Sequence, residues 1–241
     1  MYEDIYNQIK LAAEKKNLKP STANAYCHTI RHFLDYTGKP WDELIIDDAD
    51  AFLTAKRLSG VMPETYNHYY SAIRFMYKRI LKLYWDEDEI ARMKRDRALP
   101  VVLSKHEINS ILDATKNLKH KAMIATMYSG GLRVSEVVHL HYDDISRSNK
   151  SIHIRNTKNR RDRYTILADR TLDLLTEYWF QCGKPRDILF PSQWTHNYLD
   201  ISSVNQFLKI SAKKAGITKH FSSHTFRYSF ASHLLEAGCD I

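Results

Sequence analysis

Glycine and proline are scarce here, 7 and 6 in 241 residues. So few chain breakers argue for long helices joined by few turns. Cysteine is scarcer still. Cys27, Cys182 and Cys239 are odd in number, widely spaced and outside any CxxC pattern. That excludes a disulfide framework or a cysteine zinc site and fits reduced thiols in a cytosolic protein. No apolar run approaches the ~20 residues that cross a bilayer. The acidic start Met1-Tyr2-Glu3-Asp4 is not that of a signal peptide. A cytoplasmic protein with no membrane partner is the expectation.

What is present is a globular composition, 44% apolar and 27% charged, with a formal net charge of +8. Through Arg97, 16 Lys and Arg stand against 15 Asp and Glu, a net of +1. From Ala98 onward the counts are 20 and 13, a net of +7. The excess in the second part fits a polyanionic partner, nucleic acid before a membrane surface.

Residues 1–95 read as helices. Pro20-Ser21 starts one, with Ser21 a candidate N-cap, and Gly38-Lys39-Pro40 ends it. A shorter helix is expected near Ala49–Ser59. Pro63-Glu64 opens a third, with a tyrosine-rich apolar stripe from Tyr66 to Leu81. Its polar face carries Asn67, His68, Arg74 and Lys78, either a solvated face or a track for a phosphate backbone. The acidic run Asp86–Glu89 then gives way to basic Arg92, Lys94 and Arg95, and Leu99-Pro100 interrupts any helix. A domain boundary is expected there, with a basic connector suited to DNA or simply to solubility.

In residues 100–241, Ser104 and Glu107 stand at capping-box spacing. His106-Glu107 opens like a zinc-protease helix, but no second His arrives at the right offset, so no metal is expected. Around Tyr128–Glu136 an apolar helical segment, roughly Ala122 to Met127, is broken by Gly130-Gly131. Two adjacent glycines mark a sharp turn or a close approach of backbone. Arg133 and Glu136 follow at i, i+3, where the carboxylate can orient the guanidinium fork. Ser151–Arg155 and Tyr164–Leu167 read as paired strands, with Asn156–Arg163 a tip dense in cations (Lys158, Arg160, Arg161 and Arg163). Such a tip can meet phosphates or base edges. Helices are expected at Thr171–Phe180 and Ser202–Ala215. In a last helix His224 and Arg227 share one face, and Phe226, Phe230 and Leu234 share a core face.

In this order, Gly131-Leu132-Arg133-Val134-Ser135-Glu136, the basic hairpin and His224-Thr225-Phe226-Arg227 resemble the tyrosine recombinases of the phage-integrase and Xer type. Ser229–Gly238 resembles the segment that follows the second arginine in that family. The resemblance spans nearly the whole chain. It implies a mainly α fold with a small β-hairpin or sheet in the second domain. Residues 1–95 would be a helical core-binding, SAM-like DNA-binding domain, and residues 100–241 the catalytic domain. It implies strand cleavage and rejoining in duplex DNA through a 3′-phosphotyrosine link, with no metal or nucleotide cofactor. Arg133 and Arg227 would clamp the phosphate oxygens, and Lys158 would protonate the leaving 5′-oxygen. Arg160 and Arg161 lie within a register slip of Lys158. His224 would bind the phosphate or manage the nucleophile's proton, and Glu136 would hold Arg133. Asn67, Arg74, Lys78, Arg92, Lys94, Arg95, Arg160, Arg161 and Arg163 would contact DNA. Such enzymes, many borne on mobile elements, assemble as tetramers on paired sites.

One feature departs from the pattern. In the family the nucleophilic Tyr lies some thirty residues beyond the second Arg, and this sequence carries fourteen residues past Arg227. Tyr228 adjoins Arg227 but would point about 100° away from it on a helix. The expectation is a recombinase cut short before its nucleophile, binding DNA without cleaving it. The competing class is a non-catalytic DNA-binding regulator or inhibitor on the same scaffold. An unrelated RNA-binding protein is disfavoured, because the strand motifs of the common RNA modules are lacking.

Overall fold

A computed structural model describes residues 2–95, 99–155, 162–184 and 186–239, which fall into two compact units, Met1–Ala98 and Leu99–Ile241. The first is built on aromatic packing. Helix α1 (Glu3–Glu14) turns Ile5, Ile9 and Ala13 inward at helical spacing. Helix α2 (Pro20–Thr37) has Pro20 at its first position, where the missing N–H costs nothing. Lys19, not Ser21, occupies the N-cap position, and it makes no side-chain cap. Helix α3 (Ile46–Leu58) starts earlier than the apolar pattern predicts, because Asp47 and Asp48 belong to its first turn. Asp48 there accepts the Ile45 N–H at 3.0 Å.

Helix α4 (Pro63–Met76) passes into a π-helical turn, Tyr77–Leu81. Its stripe is core: Tyr66, Tyr70, Ile73, Met76 and Tyr77 are all buried. Phe33 meets Phe52 edge-on at 5.2 Å, and Trp85 meets Tyr70 at 5.5 Å. The polar ends are satisfied as burial requires. Tyr77 Oη donates to the Ile45 carbonyl at 2.8 Å, and Trp85 Nε1 donates to Tyr70 Oη at 3.1 Å. With Trp85 and Ile90 both buried, the acidic run between them is pinned to this core.

The second unit is arranged around helix α6 (Leu118–Ser129), whose residues Ala122 to Met127 are all buried. A helix apolar on every side belongs inside a core. Packed around it are α5 (Lys105–Ala114), α8 (Asp169–Gln181), α9 (Ile201–Lys214) and α10 (Ser223–Glu236). Helix α5 carries the expected capping box, with Glu107 N–H to Ser104 Oγ at 3.1 Å and Ser104 N–H to Glu107 Oε2 at 2.7 Å. A short helix α7 (Val134–Val138) leads to an antiparallel sheet of β1 (Ile145–Ser146), β2 (Ser151–Ile154) and β3 (Arg163–Ile166), in that order. Ile152 and Ile154 bury one face of β2. Among the described residues no helix is long and apolar enough to cross a membrane.

Helix α10 is held at several points. Phe226 is fully buried. Ser229 Oγ accepts the Leu103 N–H at 2.9 Å, and Tyr128 Oη lies 2.8 Å from His233 Nδ1. The expected Phe226–Phe230–Leu234 core face is only partly realised, since Phe230 and Leu234 are half-buried. Phe230 instead lies over the Gly130-Gly131 turn. At Gly131, φ is +59°, and a Cβ would fall under 3.0 Å from two carbons of the Phe230 ring. Both the turn and the ring therefore require glycine.

Gly131→Ala combines left-handed strain with overpacking and should destabilise the protein by about 3 kcal/mol in urea unfolding. Adding Phe230→Leu should recover about 1 kcal/mol as coupling energy. Strict additivity of the two changes would show that the ring does not enforce the glycine.

Candidate active site

The turn at Gly130-Gly131 delivers Arg133 to the N-cap position of α7, one helical turn before Glu136. Glu136 folds back along its own helix. Its Oε2 accepts the Arg133 backbone N–H at 2.8 Å, and its Oε1 accepts Arg133 Nη1 at 2.8 Å. From β3, Arg163 reaches the same carboxylate with both prongs, Nη1 to Oε1 at 2.9 Å and Nη2 to Oε2 at 2.8 Å. From α10, Arg227 donates Nη1 to the Gly131 carbonyl at 2.8 Å and comes within 3.9 Å of Glu136 Oε2. Thr165 ties the sheet to the same turn by donating to the Gly130 carbonyl at 2.9 Å. Three elements and a turn thus converge on one carboxylate.

The carboxylate is hidden and the guanidiniums are not. The Glu136 side chain is 7% exposed, while those of Arg133, Arg163 and Arg227 are 31–35% exposed. Burial alone would raise the Glu136 pKa. The bonds from the Arg163 guanidinium, then those from the Arg133 N–H and guanidinium, outweigh it and bring the value down to about 2. Arg227 is also lowered, below the usual arginine value, first by burial and then by the like charge of Arg133. Arginine nevertheless remains charged at any ordinary pH. Among the described residues the cluster therefore sets three guanidiniums against one carboxylate and leaves two positive charges uncompensated. Such a site is built to take an anion, with planar donors matched to phosphate oxygens.

His224 stands exposed in the first turn of α10, three residues before Arg227. It lines a cleft of about 790 Å³ together with Val134, the neighbour of Arg133, and with Lys209, Lys213 and Lys219. Lys158, Arg160 and Arg161 lie outside the described residues. The place of Arg163 is a correction: expected at the hairpin tip, it is the first residue of β3, paired across to Ile154, and both its terminal nitrogens are bonded to Glu136.

The remaining expected DNA contacts belong to the first unit and are described within it. Asn67 is a second correction. It is 3% exposed, donates Nδ2 to the Met93 carbonyl at 2.9 Å and accepts the Met93 N–H at 3.1 Å. That bidentate clasp fixes the chain after the acidic run and leaves no free amide for a ligand. Arg74 is paired with Glu87, and Lys78 lies 3.8 Å from the same carboxylate. Arg92 covers the Tyr70 ring with its guanidinium 4.7 Å from the centroid. Lys94 and Arg95 are exposed, and Arg95 lines a polar hollow of about 420 Å³ with Ser21, Thr22, Tyr26 and His68. The sequence reading missed that hollow, whose only local signal was small polar residues at the start of α2.

Two family models cover most of the chain. Residues 101–241 match the phage integrase family, and residues 5–87 match the phage integrase N-terminal SAM-like domain. The chain belongs to the phage integrase family of tyrosine recombinases. A tyrosine recombinase of Thermosipho africanus is 30% identical over 234 residues, covering 92% of this chain and 81% of that protein. The integrase fold recurs in the XerH site-specific recombinase bound to its difH substrate in a pre-cleavage complex. That likeness has a TM-score of 0.74 at 20% identity and covers 96% of this chain and 75% of that one. It recurs also in a lambda integrase tetramer bound to a Holliday junction, with a TM-score of 0.72 at 14% identity, covering 95% and 71%. At these identities the two structures speak for the fold alone.

The depressed Glu136 pKa makes a signed prediction. A carboxylate lowered from an ordinary ~4.3 to about 2 adds stability that is complete above pH ~4.3 and lost as pH falls through about 2. The stability difference between the wild type and Glu136→Gln should therefore shrink by about 3 kcal/mol from pH 5 to pH 2 in urea titrations. Parallel pH profiles for the two proteins would remove the assigned ion cluster from the fold's stability.

Proposed function

We propose that this chain acts in site-specific DNA recombination, on the chemistry of its family: a strand is broken by a tyrosine hydroxyl, held as a 3′-phosphotyrosine and rejoined. The observation that carries the reading is the approach of Arg133 and Arg227 to a single carboxylate, 2.8 and 3.9 Å away, from opposite ends of the second unit's sequence. Two guanidiniums gathered this closely can grip one scissile phosphate and stabilise the extra negative charge of its transition state. Removing one such donor typically costs on the order of 3 kcal/mol of barrier. In this reading Glu136 orients Arg133. His224, one turn from Arg227, binds a phosphate oxygen or handles a proton, and Lys158 protonates the leaving 5′-oxygen.

Duplex DNA is the proposed partner, and assembly on paired sites the proposed working form. Lys94 and Arg95 in the first unit, with Arg160 and Arg161 of the second, would supply backbone contacts. Residues 1–98 would serve as the core-binding domain and residues 99–241 as the catalytic one. A protein acting on bacterial DNA would work in the cytoplasm. Among residues 1–241, no tyrosine stands where the family's nucleophile is placed. Tyr228, beside Arg227, is the last of the fifteen. The polypeptide of these residues is therefore proposed to hold DNA without joining to it.

Two measurements on this polypeptide test the reading. In fluorescence anisotropy with duplex DNA, a clamp neutralising about 8 phosphates gives a log-log salt slope near −7, and Arg133→Ala or Arg227→Ala each reduces it by about 1. A slope near zero would contradict DNA binding altogether. On a denaturing gel with a nicked duplex no protein–DNA adduct is expected, and an adduct would locate a nucleophile among the tyrosines present.

A further inference from the structure

Among the described residues, the Arg163–Glu136 pair is the one strong ion pair of the candidate site that the proposed chemistry leaves without a task. Its geometry is fork to fork. Two parallel N–H···O bonds of 2.9 and 2.8 Å occupy both oxygens of the carboxylate. Arg133 takes its share through one guanidinium nitrogen and its own backbone N–H. Arg227 is held off, its nearest nitrogen 3.9 Å from Oε2 and hydrogen-bonded at 2.8 Å to the Gly131 carbonyl. The separation is just beyond hydrogen-bond reach, so a small swing of either side chain would close it.

We propose that Arg163 is a positioning residue that keeps Glu136 away from Arg227, so that Arg227 stays free to bind a phosphate oxygen. The inference rests on the reading of Arg133 and Arg227 as a phosphate grip. Without Arg163, Oε2 of Glu136 loses its closest guanidinium partner, and a carboxylate that is 7% exposed with that partner in place is left short of a charge-assisted bond. Among the described residues, the next guanidinium within reach of Oε2 is then Arg227, 3.9 Å away. Once paired with Glu136, Arg227 would offer one charge fewer and one edge fewer to a ligand. Lysine at 163 would keep the charge but not the fork, because a single ammonium cannot occupy both oxygens in the planar arrangement.

A positioning residue differs from a direct phosphate ligand and from a general source of positive charge in what its variants do. The experiment is titration of the 241-residue chain with inorganic phosphate, followed by NMR on the Nε–Hε signals of Arg133 and Arg227. Phosphate should shift both signals in the wild type. Arg163→Gln should weaken the affinity about tenfold, equivalent to 1.4 kcal/mol. Arg163→Lys should weaken it nearly as much, although net charge is preserved. The double variant Arg163→Gln/Glu136→Gln should bind several-fold more tightly than Arg163→Gln alone, because the competing carboxylate is gone, yet stay short of wild type, because Arg133 loses the partner that orients it. Native dispersion of the amide signals in Arg163→Gln separates a folded variant from an unfolded one, and its loss would make Arg163 a structural brace and overturn the proposal.

Wild-type affinity in Arg163→Lys would reduce the role to charge alone and overturn the proposal. A double variant as weak as Arg163→Gln would make Arg163 a ligand or a structural brace, and would overturn it equally. Failure of the wild type to bind phosphate at both arginines is a different result. It would remove the phosphate grip itself, and the role of Arg163 with it.

Discussion

One buried carboxylate gathers the candidate site. Glu136 sits at the start of α7 and draws in a guanidinium from its own helix, one from β3 and, at longer range, one from α10. Three arginines brought this close would repel one another without a counter-charge. A carboxylate so far from water would in turn be strongly disfavoured without them. Each side of the pairing makes the other tolerable, which is why the group stays ionised despite its burial. The surplus of positive charge is then left at the surface, where the arginine side chains remain about a third exposed.

The backbone beneath this arrangement is equally constrained. Gly131 takes a left-handed conformation with the Phe230 ring packed where a side chain would be, and its carbonyl receives Arg227. The turn that ends α6 is therefore also the point at which α10 is registered against α7. Thr165 holds the same turn from the sheet side. A guanidinium has two usable edges. Here each arginine is fixed by protein contacts through part of its fork, the condition for donors that are aimed before a ligand arrives.

How much of this was legible in the sequence follows from the range of each interaction. Local relations read correctly: the Ser104–Glu107 capping box, the tyrosine stripe of α4, the Arg133–Glu136 spacing and the alternation of β2 all act within a few residues. The Arg163 contact with Glu136 is not legible locally, because it spans 27 residues and depends on where β3 begins. Beginning that strand one residue earlier turns a tip cation into a partner of Glu136. Asn67 follows the same rule: helical spacing puts it on a polar face, but the chain returns 26 residues later and Met93 covers it. Phe230 was expected to follow the core periodicity of Phe226, but the glycine turn offered it a closer surface. In each case a distant segment decided what the local pattern left open.

The central claim is that Arg133 and Arg227 act on one anion. The most direct test is a crystal structure of this chain with duplex DNA. The account predicts a single backbone phosphate within hydrogen-bond distance of both guanidiniums, with Glu136 still bound to Arg163. Arg133 and Arg227 on different phosphates, or either one turned away from the DNA, would contradict it.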